Sequence, residues 1–315
     1  MSSSPNPARG VSRAGPKRQL RRRSTPQLHG GMACDTSFRL IARSCLENLT
    51  ANGEAASRGD RVALHEMRVA LTRLRAAVSV FSPMAVDSEW SRLRRELKWL
   101  NARLGAARDM DVAIERLEEI HKRQPHTISD YRSWTKKCTD RHRQLARALR
   151  SDRYRRLVKS TANWIENGSW STTADKHAAK QRAAEVTYYG TRKLAHWHEK
   201  LLNRSRGLEE MGTKKRHRLR LANKRLRYSI EFFVGLLADD NSSMQATLKH
   251  LRKAQEFLGE LNDASKSHTL AAAPKRNAVN RGESSWFIDG KRKKQLIRAA
   301  SRAYRKMAAL EPRWT

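Results

Sequence analysis

From Asp35 onward, apolar residues return at every third or fourth position, the period of helices that bury one face. The pattern predicts helices near 36–57, 60–82, 87–107, 109–123, 127–149 and 152–167. A break at Asn167-Gly168-Ser169 is followed by a second series near 174–208, 213–238, 241–264 and 291–309. No segment reads as a run of strands, so the expected fold class is all-α. Residues 1–31, rich in Ser, Pro, Gly and Arg, lack any period and read as the body of a disordered basic tail spanning 1–34. That tail is either a solvated appendage or a non-specific electrostatic tether. The Ala/Pro/Lys/Asn-rich stretch 271–285 reads as a loop, and the break near 168–174 divides a helical domain, 35–310, into halves of about 35–168 and 174–310.

The two halves share a pattern. His65–Phe81 aligns without gaps on His217–Phe233, with seven of 17 positions identical at an offset of 152. A second pair, Leu104-Gly105-Ala-Ala-Arg108-Asp109 and Leu258-Gly259-Glu-Leu-Asn262-Asp263, repeats at an offset of 154. Two matches in the same order and at nearly equal offset argue for duplication of a helical unit. On a wheel of about 100° per residue, His65, Arg68, Thr72 and Arg75 fall on one narrow face, and so do His217, Arg220, Lys224 and Arg227. Beside each lies an apolar face: Met67, Leu71, Leu74, Val78 and Phe81 in the first, Leu219, Leu226, Ile230 and Phe233 in the second. Each helix can therefore bury one side and present a row of cations on the next.

Composition sharpens this picture. The 315 residues carry 66 Lys+Arg against 31 Asp+Glu, a formal charge of +35 with His neutral. So large a charge repels itself in the compact state and favours an anionic partner: nucleic acid, anionic lipid or polyphosphate. Between Met211 and Ile230 there are eight Lys/Arg and no carboxylate, whereas a face selected for solubility would intersperse acids. Like charges one turn apart, such as Arg216/Arg220 and Arg220/Lys224, cost roughly 0.2–0.5 kcal/mol each on an isolated helix. The residue types suit phosphate: Arg offers a planar fork of donors, Lys a compact charge, and His one donor when neutral and two when charged.

These residues carry a family resemblance. His65-x-x-Arg68-Val69-Ala70-x-x-Arg73-Leu74-Arg75 and His217-x-x-Arg220-Leu221-x-x-Lys224-Arg225-Leu226-Arg227-Tyr228 resemble the two signature helices of the CHAD family, the conserved-histidine α-helical domain. Leu104-Gly105-x-x-Arg108-Asp109-x-Asp111-Val112 and Leu258-Gly259-Glu260-Leu261-Asn262-Asp263 resemble its two further motifs, and the likeness runs from about Phe38 to Lys306. The resemblance implies two pseudo-symmetric four-helix bundles around a basic central cavity, and binding of inorganic polyphosphate there. The residues it assigns to binding are His65, Arg68, Arg73, Arg75, His217, Arg220, Lys224, Arg225 and Arg227. Arg73 and Arg225 lie off the narrow face of the wheel and enter only through the family motif. Thr72 stands where the family usually has a basic residue, so the first half is expected to grip less strongly. The resemblance also implies targeting to polyphosphate-containing granules, and some members associate with polyhydroxyalkanoate granules. The alternative reading is a basic helical protein that binds nucleic acid, which needs the same residue types.

Other constellations add little. Cys34, Cys45 and Cys138 include no CxxC pair, so neither a disulfide framework nor a zinc site is expected, and the usage suits a reducing compartment. No apolar run of membrane-spanning length occurs, nor does one follow Arg21-Arg22-Arg23, so the expected location is cytoplasmic. His196 and His198, two apart, point to different sides of a helix and do not suggest a shared metal. Asp109 and Asp111 could hold Mg²⁺ or act in acid/base chemistry. The counterpart Asn262-Asp263 lacks one acid, so helix-start signals or salt bridges to the basic face explain both sites better. Trp90, Trp99 and Trp164 fit packing positions rather than a base-stacking platform. No nucleotide-binding loop, HExxH or Ser/His/Asp signature is present, so no cofactor or metal is expected. A binding protein is expected rather than a phosphatase or transferase acting on polyphosphate.

Overall fold

A computed structural model describes residues 26–123, 131–236, 241–271 and 290–310. Residues 1–25 of the expected tail, nearly all of the loop at 271–285, and the expected helix ends at 127–130 and 237–238 lie outside the described residues. Within them the chain is all-α. The helices are α1 (Cys34–Ala51), α2 (Gly53–Ser57), α3 (Arg61–Val80), α4 (Ser82–Ala85), α5 (Ser88–Arg123) and α6 (Tyr131–Arg150). They continue with α7 (Asp152–Asn167), α8 (Lys176–Ala183), α9 (Val186–Ser205), α10 (Thr213–Phe233), α11 (Asn241–Ala271) and α12 (Gly290–Ala308). No strand occurs among the described residues beyond an isolated antiparallel bridge between Ala33 and Glu185.

Local chemistry sets several helix starts. Asp60 accepts from the Val62 and Ala63 amides (2.8 and 2.9 Å) and begins α3. Asp87 accepts from the Trp90 amide (2.7 Å) at the start of α5. Ser151 and Asp175 cap α7 and α8 in the same way. The apolar faces expected for the repeated segments are buried: Met67, Leu71, Leu74, Val78 and Phe81 on one side, Leu219, Leu226, Ile230 and Phe233 on the other.

One group of helices packs α1 against α3 and α7, and α5 against α3, α6 and α7; the other packs α10 against α9 and α11, and α12 against α11 and α9. α3 and α10 meet between the groups. Phe81 and Phe233, at matching positions of the aligned segments, touch edge-on with ring centroids 6.1 Å apart. Around them Phe38, Trp164, Trp170 and Tyr189 form an aromatic core, and the Tyr189 hydroxyl donates to the Val80 carbonyl (2.7 Å).

Several boundaries differ from expectation: the helix expected at 36–57 is divided into α1 and α2, and the one expected at 241–264 runs on to Ala271. The helices expected at 87–107 and 109–123 are one helix, α5, because Leu104, Ala107, Met110 and Ile114 keep the burial period unbroken. The expected helix 174–208 is divided between α8 and α9, where Cys34 N–H donates to the Ala184 carbonyl and Val186 N–H to the Met32 carbonyl (both 2.9 Å). The end of the presumed tail is thus pinned, with Leu28 buried and the Gly30 carbonyl accepting from the Thr187 hydroxyl (3.1 Å). α8 follows the chain break yet packs on α1 and α4.

Candidate anion-binding site

Where α3 and α10 meet, they form with α5 and α11 a cavity of about 660 Å³. α3 contributes His65, Arg68, Thr72 and Arg73; α10 contributes Arg220, Lys224, Arg227, Tyr228 and Glu231. α5 adds Arg108 and Asp109, and α11 adds Arg252, Gln255, Asn262 and Asp263. Seven Lys/Arg face four carboxylates, Glu66 included, so the lining is net positive even with His65 neutral.

The cations stand in one another's fields. Burial, then Arg220, Arg68 and Arg227, drive the Lys224 ammonium down from 10.5 to about 7 despite the opposing pull of Asp263. Partial burial and Arg108 hold His65 below its ordinary value. Burial lowers Arg68 too, although Asp109 approaches it at 3.8 Å. The Arg220 Nε is buried without a hydrogen-bond partner among the described residues.

One carboxylate organises the end of the cavity. Glu231 accepts from Arg73 (2.7 Å) and Arg227 (2.6 Å), with Arg252 at 3.9 Å. Arg227 also donates to Gln255 (3.0 Å), and both Arg73 and Arg227 lie over the Tyr228 ring, 5.6 and 4.2 Å from its centroid. Arg73 and Glu231 also line a second cavity of about 400 Å³, so their ion pair, with Glu66, Val69 and Arg252, is shared by the two.

Of the nine residues assigned from sequence, His65, Arg68, Arg73, Arg220, Lys224 and Arg227 line the cavity. The other three do not. His217 is exposed and donates to Asn262 Oδ1 (3.0 Å), a lining residue, so it stands beside the cavity. Arg225 packs over Trp197 (5.1 Å) on α9 and donates to the Ser79 hydroxyl (3.4 Å) on α3. Arg75 is exposed; the position one turn on, which in α10 holds Glu231, is Ser79 in α3 and offers its guanidinium no charge partner. Thr72 lines the cavity, but its hydroxyl donates back to the Arg68 carbonyl (2.7 Å). Arg108, Arg252, Gln255 and Glu231 were missed from sequence, although Arg108 stood in the second repeated motif.

The Arg108–Asp111 stretch sits within α5 rather than at a helix start. Asp109 makes the expected salt bridge to the basic face, through Arg68. His196 is exposed while His198 is buried, as residues on different sides of α9 should be.

Fold and site define an all-helical protein in which two basic helices face each other across a half-open cavity. More particularly, the chain belongs to the CHAD family, whose domain model matches residues 40–272. It is similar to the crystal structure of the CHAD domain from the plant Ricinus communis, with 26% identity and a TM-score of 0.68, over 92% of this chain and 91% of that one. It also shares its fold with PptA from Streptomyces chartreusis, at 17% identity and a TM-score of 0.57, over 89% of this chain and 96% of that one. No curated protein matches the chain. No described helix is long and apolar enough to cross a membrane.

Proposed function

We propose that the protein binds inorganic polyphosphate in the cavity between α3 and α10, as a binding protein rather than an enzyme. The observation that carries this reading is the cluster of Arg68, Arg220, Lys224 and Arg227, whose burial and mutual repulsion depress Lys224 to about 7. Such a cluster costs stability in the free protein, and a polyanion threaded among the guanidinium forks relieves that cost. Cavity size favours a slender chain over a duplex. A volume of about 660 Å³ falls within the roughly 300–1,000 Å³ typical of small-ligand sites. Specific protein–DNA interfaces, by contrast, spread over about 1,000–2,500 Å² of protein surface. Binding a polymer that accumulates in granules would carry the chain to them.

Retention on immobilised polyphosphate at moderate salt, undisturbed by excess duplex DNA or RNA at matched phosphate concentration, is the expected result. Equal displacement by nucleic acid would favour the rival reading. Incubation with polyphosphate and Mg²⁺ should leave chain length unchanged, and released orthophosphate would overturn the non-enzymatic assignment.

A further inference from the structure

Two residues beyond the cavity-lining Asp109, Asp111 turns towards α6 and is fully buried there. Its Oδ1 lies 2.7 Å from His142 Nε2 and 3.8 Å from Cys138 Sγ. We propose that Asp111, Cys138 and His142 form a site for a zinc-class divalent metal ion that clamps α6 onto α5.

The geometry is that of a ligand set. One ligand atom from each residue lies within 4.8 Å of the others. Cys138 and His142 are one helical turn apart on α6 and so project from the same face. Metal–ligand bonds of about 2.0–2.3 Å place tetrahedral ligand atoms roughly 3.3–3.6 Å apart. The Asp111–Cys138 separation is already close to that, and the Asp111–His142 pair must open by only about 0.6 Å. One thiolate, one imidazole and one carboxylate are the donor mixture of zinc-like ions, not of Mg²⁺ or Ca²⁺, and three protein ligands leave a fourth position for water.

A second observation points the same way. Asp111 Oδ2 is buried with no hydrogen-bond partner among the described residues. An unpartnered carboxylate oxygen on a fully buried side chain is costly unless something charged meets it. Arg61, 3.7 Å from Oδ1, supplies part of that charge, but its side chain is 42% exposed and can swing to solvent when a cation enters. The surroundings also favour a clamp. Met110, Ala113, Ile114, Leu117, Trp134 and Cys138 form a small apolar cluster separate from the main core. So few buried side chains hold this end of α5 and α6 weakly, which is where a metal adds most. Binding exchanges the Cys138 thiol proton for the metal and releases that proton to the buffer. The proposal is independent of the anion-binding reading.

Full-length protein stripped with a chelator and titrated with Co²⁺ tests it. One equivalent should bind with thiolate-to-cobalt charge-transfer absorption, Zn²⁺ should displace it, and the thermal midpoint should rise. Cys138→Ser should abolish the charge-transfer band and His142→Asn should weaken binding. Cys34 and Cys45, buried elsewhere, should not substitute. Absence of the band in the wild type overturns the proposal whether or not either variant folds, and so does an unchanged band in Cys138→Ser.

Discussion

If the cavity binds a polyanion, the Lys224 ammonium should take up a proton on binding. In the free protein, burial and then Arg220, Arg68 and Arg227 hold it at about 7, with Asp263 alone opposing. At pH 8 an ammonium with that value is about nine-tenths neutral. A phosphate chain beside it favours the charged form, so binding at pH 8 should draw in close to one proton through Lys224. His65, also lowered, can add to the total. Calorimetric titration with a medium-length polyphosphate, in buffers of different ionisation enthalpy, counts those protons. Lys224→Arg keeps the charge but is protonated throughout, so its uptake should fall short of wild type by about 0.9 proton at pH 8. Wild-type affinity should weaken as pH rises above 7, by up to about tenfold per pH unit for each linked proton. The same shift acts on folding. The folded state holds the Lys224 proton less tightly than the unfolded chain, so stability rises with pH between about 7 and 10.5, and the loss on lowering the pH is complete once it has fallen below 7. At about 1.4 kcal/mol per tenfold, the full penalty below pH 7 is at most roughly 5 kcal/mol. Lys224→Met should therefore stabilise the free protein at pH 6 while weakening polyphosphate binding. Equal proton uptake by wild type and Lys224→Arg would refute the argument.

Three further outcomes follow from the contacts. Glu231→Gln removes the charge that occupies Arg73 and Arg227; a unit charge about 6 Å from a phosphate at an effective dielectric of about 20 is worth ~3 kcal/mol before screening. Polyphosphate affinity should rise by about tenfold in filter-binding or calorimetric assays, and a fall would mean that the hold of Glu231 on Arg73 and Arg227 is worth more to binding than the negative charge it places beside the phosphate. Arg75→Ala should leave affinity unchanged, and Arg225→Ala should lower stability slightly through Trp197 without changing affinity, whereas Arg220→Ala should weaken binding and reduce its salt dependence. Phe38→Ala removes a fully buried ring that meets Trp170, Phe81 and Trp164 at 5.1, 5.6 and 5.8 Å, and should cost about 3–5 kcal/mol in denaturant unfolding.

The helical period was legible because one face of each helix is buried, and burial is what periodicity reports. It failed where tertiary contacts set the boundary. Nothing local stops a helix at Ala184; the chain entering α1 does so by bonding across to Ala184 and Val186. Conversely, Arg108-Asp109 resembles a helix start in isolation, yet both side chains find ion partners, in Glu115 and Arg68, and α5 runs on. The metal-ligand set was invisible because Asp111 lies 27 residues from Cys138 and 31 from His142, and only the packing of α5 on α6 joins them.

A helical wheel gives the direction in which a side chain leaves its helix, but not whether a cation stays in the cavity. The aligned segments show what does. Glu231 matches Ser79, and that one difference accounts for two asymmetries. Arg73 reaches across from α3 to a carboxylate and joins the cavity wall, while Arg225, its counterpart, reaches back to a hydroxyl and packs on Trp197. Arg227 is held in the cavity by the acid one turn away, and Arg75, with Ser79 in that place, is exposed. Thr72 already removes a cation from the first row, so α10 supplies three of the cavity's basic side chains from the repeated face and α3 supplies His65 and Arg68. Arg108 from α5 offsets the loss, and the positive field centres on Arg220 and Lys224, whose mutual repulsion an entering anion relieves.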